Sequence, residues 1–298
     1  MDYAHIQTDL MLATLEQEIG NLYLQLYRAL RKMYLEKYKG KETLTKAILH
    51  SKEWISFEKA LAKRITKTNL LSTQEIQALM PKVYSFNANY AMYEIENGLK
   101  IRTAFDLVDE STVKMLLKGK NDVLPIRLNT WRDLRWNRQK IHSVVLRGIL
   151  KGQTNREIAK LFEHVVGMNK NTALTNARTA TTSAENGGRV YSYERAEAMG
   201  IELEQEWLAT LDGRTRHSHR QLDGEKVKVG GVFSNGCRYP GDPQGRPEET
   251  YNCRCTLVAA IKGIDNSANV RHTTMQQTYE EWKKGKKVSY GKKRNING

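Results

Sequence analysis

The sequence predicts an α+β protein, with a long N-terminal helical region followed by a small C-terminal α+β domain that carries a short sheet and a Pro/Gly-rich loop. Three observations lead there. From Ile6 to Met199 apolar residues recur mostly at intervals of three and four, the helical period. After Gly200 the period changes to two, which suits a half-buried strand. Between Trp207 and Cys255 the chain gathers all three cysteines, two of the seven histidines, three of the five prolines and seven of the 21 glycines. Chemistry or a local staple is concentrated in that stretch.

Taken in order, Ile6, Leu10, Leu15, Ile19, Leu22, Leu26, Leu30 and Met33 place one amphipathic helix over residues 6–35, broken by Gly40. Thr43 to Lys67, with Trp54, Ile55, Phe57 and Leu61, reads as a second helix able to pair with the first. Ser72 followed by Glu75 is a capping-box pattern, so a third helix is expected to start there and to be interrupted or kinked near Pro81. Tyr84 to Arg102 resumes helical spacing. Phe105 to Leu128 reads as loop and short helix, because Gly119, Asn121, Asp122 and Pro125 crowd together. Thr130 to Leu150 is helical and ends at Gly152; Thr154 and Glu157 form another capping box. Asn171 to Met199 continues as a long helix stopped by Gly200, with Gly187-Gly188 its weakest point.

Ile201, Leu203, Trp207 and Ala209 then alternate with polar neighbours, Val227 and Val229 do so again, and Thr256 to Ile261 is a third apolar stretch. A sheet of two to four strands is expected. Residues 262–298 hold nine Lys and Arg against three Asp and Glu, a net +6 with little apolar periodicity, and read as a mobile basic arm. The chain therefore divides into a helical docking or bundle region at 1–140, a compact domain at 141–262 and a basic, flexible tail at 263–298.

Composition bounds the partners. The chain is 40% hydrophobic and 27% charged over 298 residues, enough to bury a core, and its net charge of +15 favours polyanions in a salt-sensitive way. Candidate nucleic-acid contacts are Arg214, Arg216, Lys283, Lys284, Lys286, Lys287, Lys292, Lys293 and Arg294. No apolar run reaches the roughly 18 to 20 residues of a membrane span. Met1-Asp2-Tyr3-Ala4-His5 lacks the basic start and apolar core of a secretory signal, so synthesis in the cytoplasm is expected. Three cysteines in a reducing compartment do not make a disulfide framework.

Cys253 and Cys255 are two residues apart, so on an extended chain their sulfurs share a face and can reach one ion. Zinc accepts thiolate and imidazole in a tetrahedral set, which makes His219 the natural third ligand and leaves Asp212, His217, Cys237 or water for the fourth. His217 and His219 share a face only if their segment is extended; on a helix they diverge. The alternative is that both cysteines are small buried residues and His219 serves a backbone carbonyl. Arg214 and Arg216 can clamp a phosphate or carboxylate, or pair internally with Asp212 and Asp223. A metal-dependent, nuclease-like enzyme is the competing class, with one histidine as general base. Two thiolates argue against it, since phosphoryl-transfer ions prefer oxygen ligands. The chain carries no Gly-x-Ser-x-Gly elbow, phosphate-cradling Gly-x4-Gly-Lys loop or His-Glu-x2-His pair.

These residues resemble the Mu F-like, or SPP1-type, phage head morphogenesis family of minor capsid proteins. The resemblance covers roughly residues 140–260: a helix, Gly152, a Thr-capped helix, Asn176-Ala177-Arg178-Thr179, Trp207, Asp212-x-Arg214-Thr215-Arg216-x2-His219, Leu222-Asp223-Gly224, Pro240, Pro243, Pro247 and Asn252-Cys253-Arg254-Cys255. Residues 1–140 match only in being helical. The sequence departs from many members at Ala180, which stands where an acid usually follows the Arg-Thr pair; the next acid is Glu185. The resemblance implies a non-enzymatic virion protein of a tailed phage, made in the host cytoplasm and placed inside the head near the portal. It implies the portal protein, capsid or scaffold proteins and packaged double-stranded DNA as partners, and no membrane.

Overall fold

A computed structural model describes residues 2–117, 130–264, 271–272 and 277–289. Gly119, Asn121, Asp122 and Pro125 of the expected loop, and Lys292, Lys293 and Arg294 of the basic tail, lie outside the described residues. In chain order come helix α1 (Tyr3–Lys37), a 3-10 turn (Lys46–His50), α2 (Lys52–Leu99), β1 (Ile101–Arg102), β2 (Leu107–Val108) and α3 (Glu110–Leu117). After them come α4 (Thr130–Leu150), α5 (Asn155–Glu197), β3 (Ile201–Leu208), α6 (His217–Gln221), β4 (Lys226–Lys228), α7 (Pro247–Thr250) and β5 (Thr256–Ile264). The last described elements are β6 (Arg271–His272), α8 (Tyr279–Lys284) and β7 (Val288–Ser289). The fold is α+β, with a long helical region before a small three-stranded sheet.

The chain packs as two compact units that interleave in sequence. One comprises Met1–Leu12, Gln77–Pro125 and Arg178–Gly298, the other Ala13–Ile76 and Ile126–Ala177. The segments 1–140 and 141–262 therefore each supply residues to both.

The second unit is helical. Leu15, Ile19, Leu26 and Leu30 of α1 are buried with Trp54, Leu61 and Ile65 of α2, Ile141 and Val145 of α4, and Ile158, Phe162 and Val165 of α5. A chain of polar side chains sets their register. Tyr23 donates to Asn69 (2.8 Å), Asn69 to Asn169 (2.8 Å), Asn169 to Asn137 (3.1 Å) and Asn137 to Thr66 (3.2 Å). Sliding one helix would leave buried amides unpaired, which costs more than the bonds themselves gain.

Two expectations are corrected in α2. No helix starts at Ser72: the buried Ser72 lies within α2, and its hydroxyl bonds back to the Asn69 carbonyl at 2.9 Å. Nor does Pro81 end the helix. Its missing N–H and ring clash cost about 3 kcal/mol, but Ile76, Met80 and Val83 around it are all fully buried, and that packing holds the helix through it. By contrast the capping box at Thr154 forms, with Thr154 N on Glu157 at 2.7 Å and Glu157 N on Thr154 at 3.3 Å. Gly152 and Gly200 end α4 and α5 at φ +66° and +85°, in the left-handed region where a Cβ is costly.

The first unit is built on the late turns of α2 and α5 and on the antiparallel sheet β4-β3-β5. Along β3 the odd residues Ile201, Leu203, Gln205 and Trp207 are buried, as the alternation predicts. Gly187-Gly188 does not break α5. It lets the helix close on α2: a Cβ on Gly188 would lie 2.4 Å from the Tyr84 carbonyl oxygen and 3.1 Å from the Ala88 nitrogen. Ser192 one turn later donates to the Ala88 carbonyl at 2.5 Å. Gly188→Ala is therefore expected to lower stability by about 2 kcal/mol, because backbone cannot yield as a side chain can, even after the roughly 1 kcal/mol gain in helix propensity. A urea midpoint equal to or above that of the unaltered protein would count against this close approach.

The mobile arm expected from residue 263 does not describe residues 277–289. Thr278 and Glu281 form a full capping box for α8, and Trp282 is buried against Phe105 and Tyr93. Its indole donates to Glu96 at 2.6 Å, and β7 pairs in parallel with β2. The sequence signal was hidden because one tryptophan, rather than a periodic stripe, carries the docking.

Candidate metal centre

One face of α5 acts as a ruler for the chain entering β5. Thr179 accepts from Asn252 N (3.0 Å), Thr182 donates to the Cys253 carbonyl (2.6 Å), and Asn186 donates to the Cys255 carbonyl (3.3 Å) while accepting from Leu257 N (2.8 Å). These helix residues are three and four apart, so they line one face. They hold residues 252–257 at fixed height, and with Cys253 and Cys255 alternating on that segment both sulfurs come to the same side.

The third donor arrives on α6. His219 is buried, packs edge-on against Trp207 with ring centroids 5.4 Å apart, and sets Nδ1 at 3.6 Å from Cys253 Sγ and 3.4 Å from Cys255 Sγ. The three ligand atoms lie within 4.8 Å of one another. With Zn–S near 2.3 Å and Zn–N near 2.05 Å, tetrahedral angles give an N···S edge of about 3.6 Å. Both N···S distances are thus close to those a zinc ion needs.

Electrostatics agree with that use. Cys255 is lowered to about 4, chiefly by the hydrogen bond from Cys253 and, against its burial, by His219. Burial and the neighbouring Cys255 push Cys253 well above the usual thiol range. One thiol is thus poised to lose its proton to a metal, and a dication would offset the cost of ionising the second. The other ring nitrogen of His219, Nε2, lies 3.0 Å from the buried Glu249 carboxylate, which also accepts from Ser218 at 3.1 Å. That contact fixes the ring with Nδ1 turned to the sulfurs, the carboxylate–histidine arrangement common behind metal ligands. Glu249→Gln is expected to weaken zinc binding about tenfold or more, measured by competition against a chromophoric chelator; an unchanged affinity would leave Glu249 a packing residue.

Of the residues singled out by sequence, His219, Cys253 and Cys255 converge. The three protein candidates for a fourth ligand do not join them. Asp212 is taken by Arg254, whose guanidinium forks onto both of its oxygens, 2.5 Å and 2.7 Å away, and holds its carboxyl well below the usual range. His217 is exposed at the start of α6, where the helix turns it away from His219. Cys237 is buried outside the group, its thiol pushed up to about 12 by burial. Arg214 and Arg216 line a small opening beside His219 and Cys255, together with Thr215, Asn252 and Arg254. Arg216 also donates to the Tyr251 carbonyl. In the basic tail Lys283, Lys284 and Lys287 are exposed, but Lys286 is 8% exposed and bonded to Glu96 at 2.6 Å, so it is not a surface contact.

Sequence reasoning missed Glu249, Thr182 and Asn186. The helix start at Pro247-Glu248-Glu249, just ahead of Asn252, was the available sign for the first. For the other two there was none, since polar residues on a helical stripe look like a solvated face.

Comparison with known proteins adds the following. Residues 139–258 match the family model described as Phage Mu protein F like protein. The chain is 28% identical over 200 residues to the NAD(+)--arginine ADP-ribosyltransferase EFV of Enterococcus faecalis, a match covering 64% of this chain and 40% of that protein. It is 25% identical over 230 residues to Minor head protein GP7 of Bacillus phage SPP1, covering 74% of this chain and 71% of the relative. Both alignments are longer than the family match, so similarity reaches outside it. The chain thus spans less than half the length of the Enterococcus protein. No solved structure gives a significant match. Residues 139–258, which run from within α4 to β5 and hold all three converging donors, are thus the part of this chain that is similar to the Phage Mu protein F-like family.

Proposed function

We propose that this chain is a minor head protein of a tailed phage that takes part in head morphogenesis, associates with the portal and touches packaged DNA. The observation that carries this reading is the family match over residues 139–258 together with the similarity to a minor head protein over 74% of the chain. Its place would be the virion, inside the head near the portal, after assembly in the host cytoplasm. Capsid or scaffold proteins are further partners on this reading. Co-purification with the portal protein from infected cells and from reconstituted heads tests it, and absence of association in both would refute it.

Within this role the His219–Cys253–Cys255 group holds a structural zinc that ties α6 to the entry of β5. Between Asp223 and Asn252 only a few side chains, Phe233, Cys237 and Tyr239 among them, are buried in the core, so a metal would add a constraint to that packing. The transferase activity named for the Enterococcus relative belongs to that protein. We assign no catalysis to this chain, because two thiolates and an imidazole suit structural zinc better than the hard ions of phosphoryl transfer. A zinc-dependent nuclease activity lost in His219→Ala, with the fold intact, would reverse that assignment.

Contact with DNA rests on the net charge of +15 and on exposed basic residues including Lys283, Lys284 and Lys287. Truncating the tail would remove the buried Trp282, so substitution is the cleaner test. Changing these three lysines to glutamine is expected to flatten the slope of log K against log salt by about 2 to 3 on duplex DNA, since each phosphate contact contributes roughly 0.9. A slope that does not move would place the contact elsewhere.

A further inference from the structure

Among the described residues the three converging donors leave one tetrahedral position without a protein ligand, and an opening lies beside them. This small opening is lined by His219 and Cys255 together with Thr210, Arg214, Thr215, Arg216, Asn252 and Arg254. It encloses room for about one water, the rest being open to solvent. The ionisable residues nearest in sequence are already committed: Asp212 to Arg254 and Glu249 to His219 Nε2. The opening is thus a cationic mouth above a three-ligand set, with Arg214 exposed at its edge.

Resting on the zinc reading above, we propose that the metal keeps an exchangeable fourth position facing this mouth, filled by water in the free protein and by one oxygen of a phosphate group when one is offered. The ligand's remaining oxygens stay in the mouth, where the exposed Arg214 meets them with its planar fork and Arg216, which already donates to the Tyr251 carbonyl, adds its charge. Phosphate is favoured over carboxylate because the mouth carries the Arg214 fork and the Arg216 charge, and a phosphate offers oxygens enough for the fork and the ion at once. The source can be a nucleic-acid phosphate or a free one. A site closed by four protein ligands would be structural alone; this one adds a binding function to the same staple.

The test uses the full chain loaded with cobalt(II), whose visible bands report its ligands. Cobalt at one equivalent, with bands that shift saturably on adding inorganic phosphate, is the expected result. Arg214→Gln, at an exposed position, should retain one equivalent of cobalt and need about tenfold more phosphate for the same shift. A shift with a short phosphodiester oligonucleotide as well as with inorganic phosphate marks nucleic acid as an eligible source; a shift with inorganic phosphate alone marks the free ion. Bands that ignore phosphate in fully loaded protein would overturn the open position while leaving the metal site standing. Failure to take up cobalt or zinc at all would overturn both, so the two readings fail in different ways.

Discussion

Replacing Cys255 with serine is expected to strip the protein of zinc and to loosen residues 207–260 while leaving Ala13–Ile76 as protected as before. Cys255 is the thiol of the pair that Cys253 and His219 hold low, while burial keeps Cys253 high, so its loss is expected to remove the better donor. Binding energy at a structural zinc is also folding energy, about 10–16 kcal/mol for small zinc domains. One of three protein ligands then accounts for roughly 3 to 5 kcal/mol, a fall in affinity of several hundredfold or more. The control is Cys237→Ser, which alters an equally buried thiol outside the group and should leave the metal content unchanged. Elemental analysis of protein purified without an affinity tag, with hydrogen exchange on both variants, reads the two effects separately. Zinc far below one equivalent in the unaltered, reduced protein would leave the cysteines as plain buried thiols.

Arg189→Met should be nearly as damaging, by about 3–5 kcal/mol. The Arg189 side chain is fully buried on α5, donates to the Leu257 carbonyl at 2.9 Å, and forms ion pairs with Asp2 and, at 3.6 Å, with Glu185. Glu185 also holds His5 at 2.8 Å and accepts from Thr256 at 2.8 Å. The guanidinium therefore ties the start of α1 and the start of β5 to one helix. Methionine fills much of the volume but strands the almost fully buried Asp2 and Glu185 carboxylates, beside the more exposed Glu94, which desolvation and Asp2 push up to about 7. A carboxyl raised by burial destabilises the fold above its unfolded value and ceases to do so once protonated. The deficit of the variant should accordingly shrink as pH falls from about 7 toward 4. Urea unfolding at pH 7 and pH 5 measures this; a loss under 1 kcal/mol at pH 7 would mean that the network is solvated rather than sealed.

The acid at position 185 answers a question raised by the departure at Ala180. Glu185 sits on the α5 face that grips β5, beside Asn186 and two turns on from Thr179. Its role is structural: it accepts from Thr256 and pairs with His5 and Arg189. That role was illegible beforehand because Asp2, His5 and Thr256, the partners that explain it, are far away in sequence.

By itself the sequence determined the α+β class, the helical character of residues before Gly200, the alternation of β3 and the three residues that converge on one point. Each depends on local periodicity, on a short spacing such as Cys253-x-Cys255, or on a glycine with a left-handed backbone, and such signals survive without knowledge of the fold. Only the tertiary structure decided that α2 runs through Ser72 and Pro81, that Trp282 is docked and Lys286 tied to Glu96, that Glu249 stands behind His219, and that Asp212, His217 and Cys237 lie outside the converging group. The physical reason is common to all of these. A capping pattern, a proline or a basic run is worth about 1 to 3 kcal/mol locally, and burial of a few apolar side chains or one satisfied ion pair, set by residues distant in the chain, outweighs it.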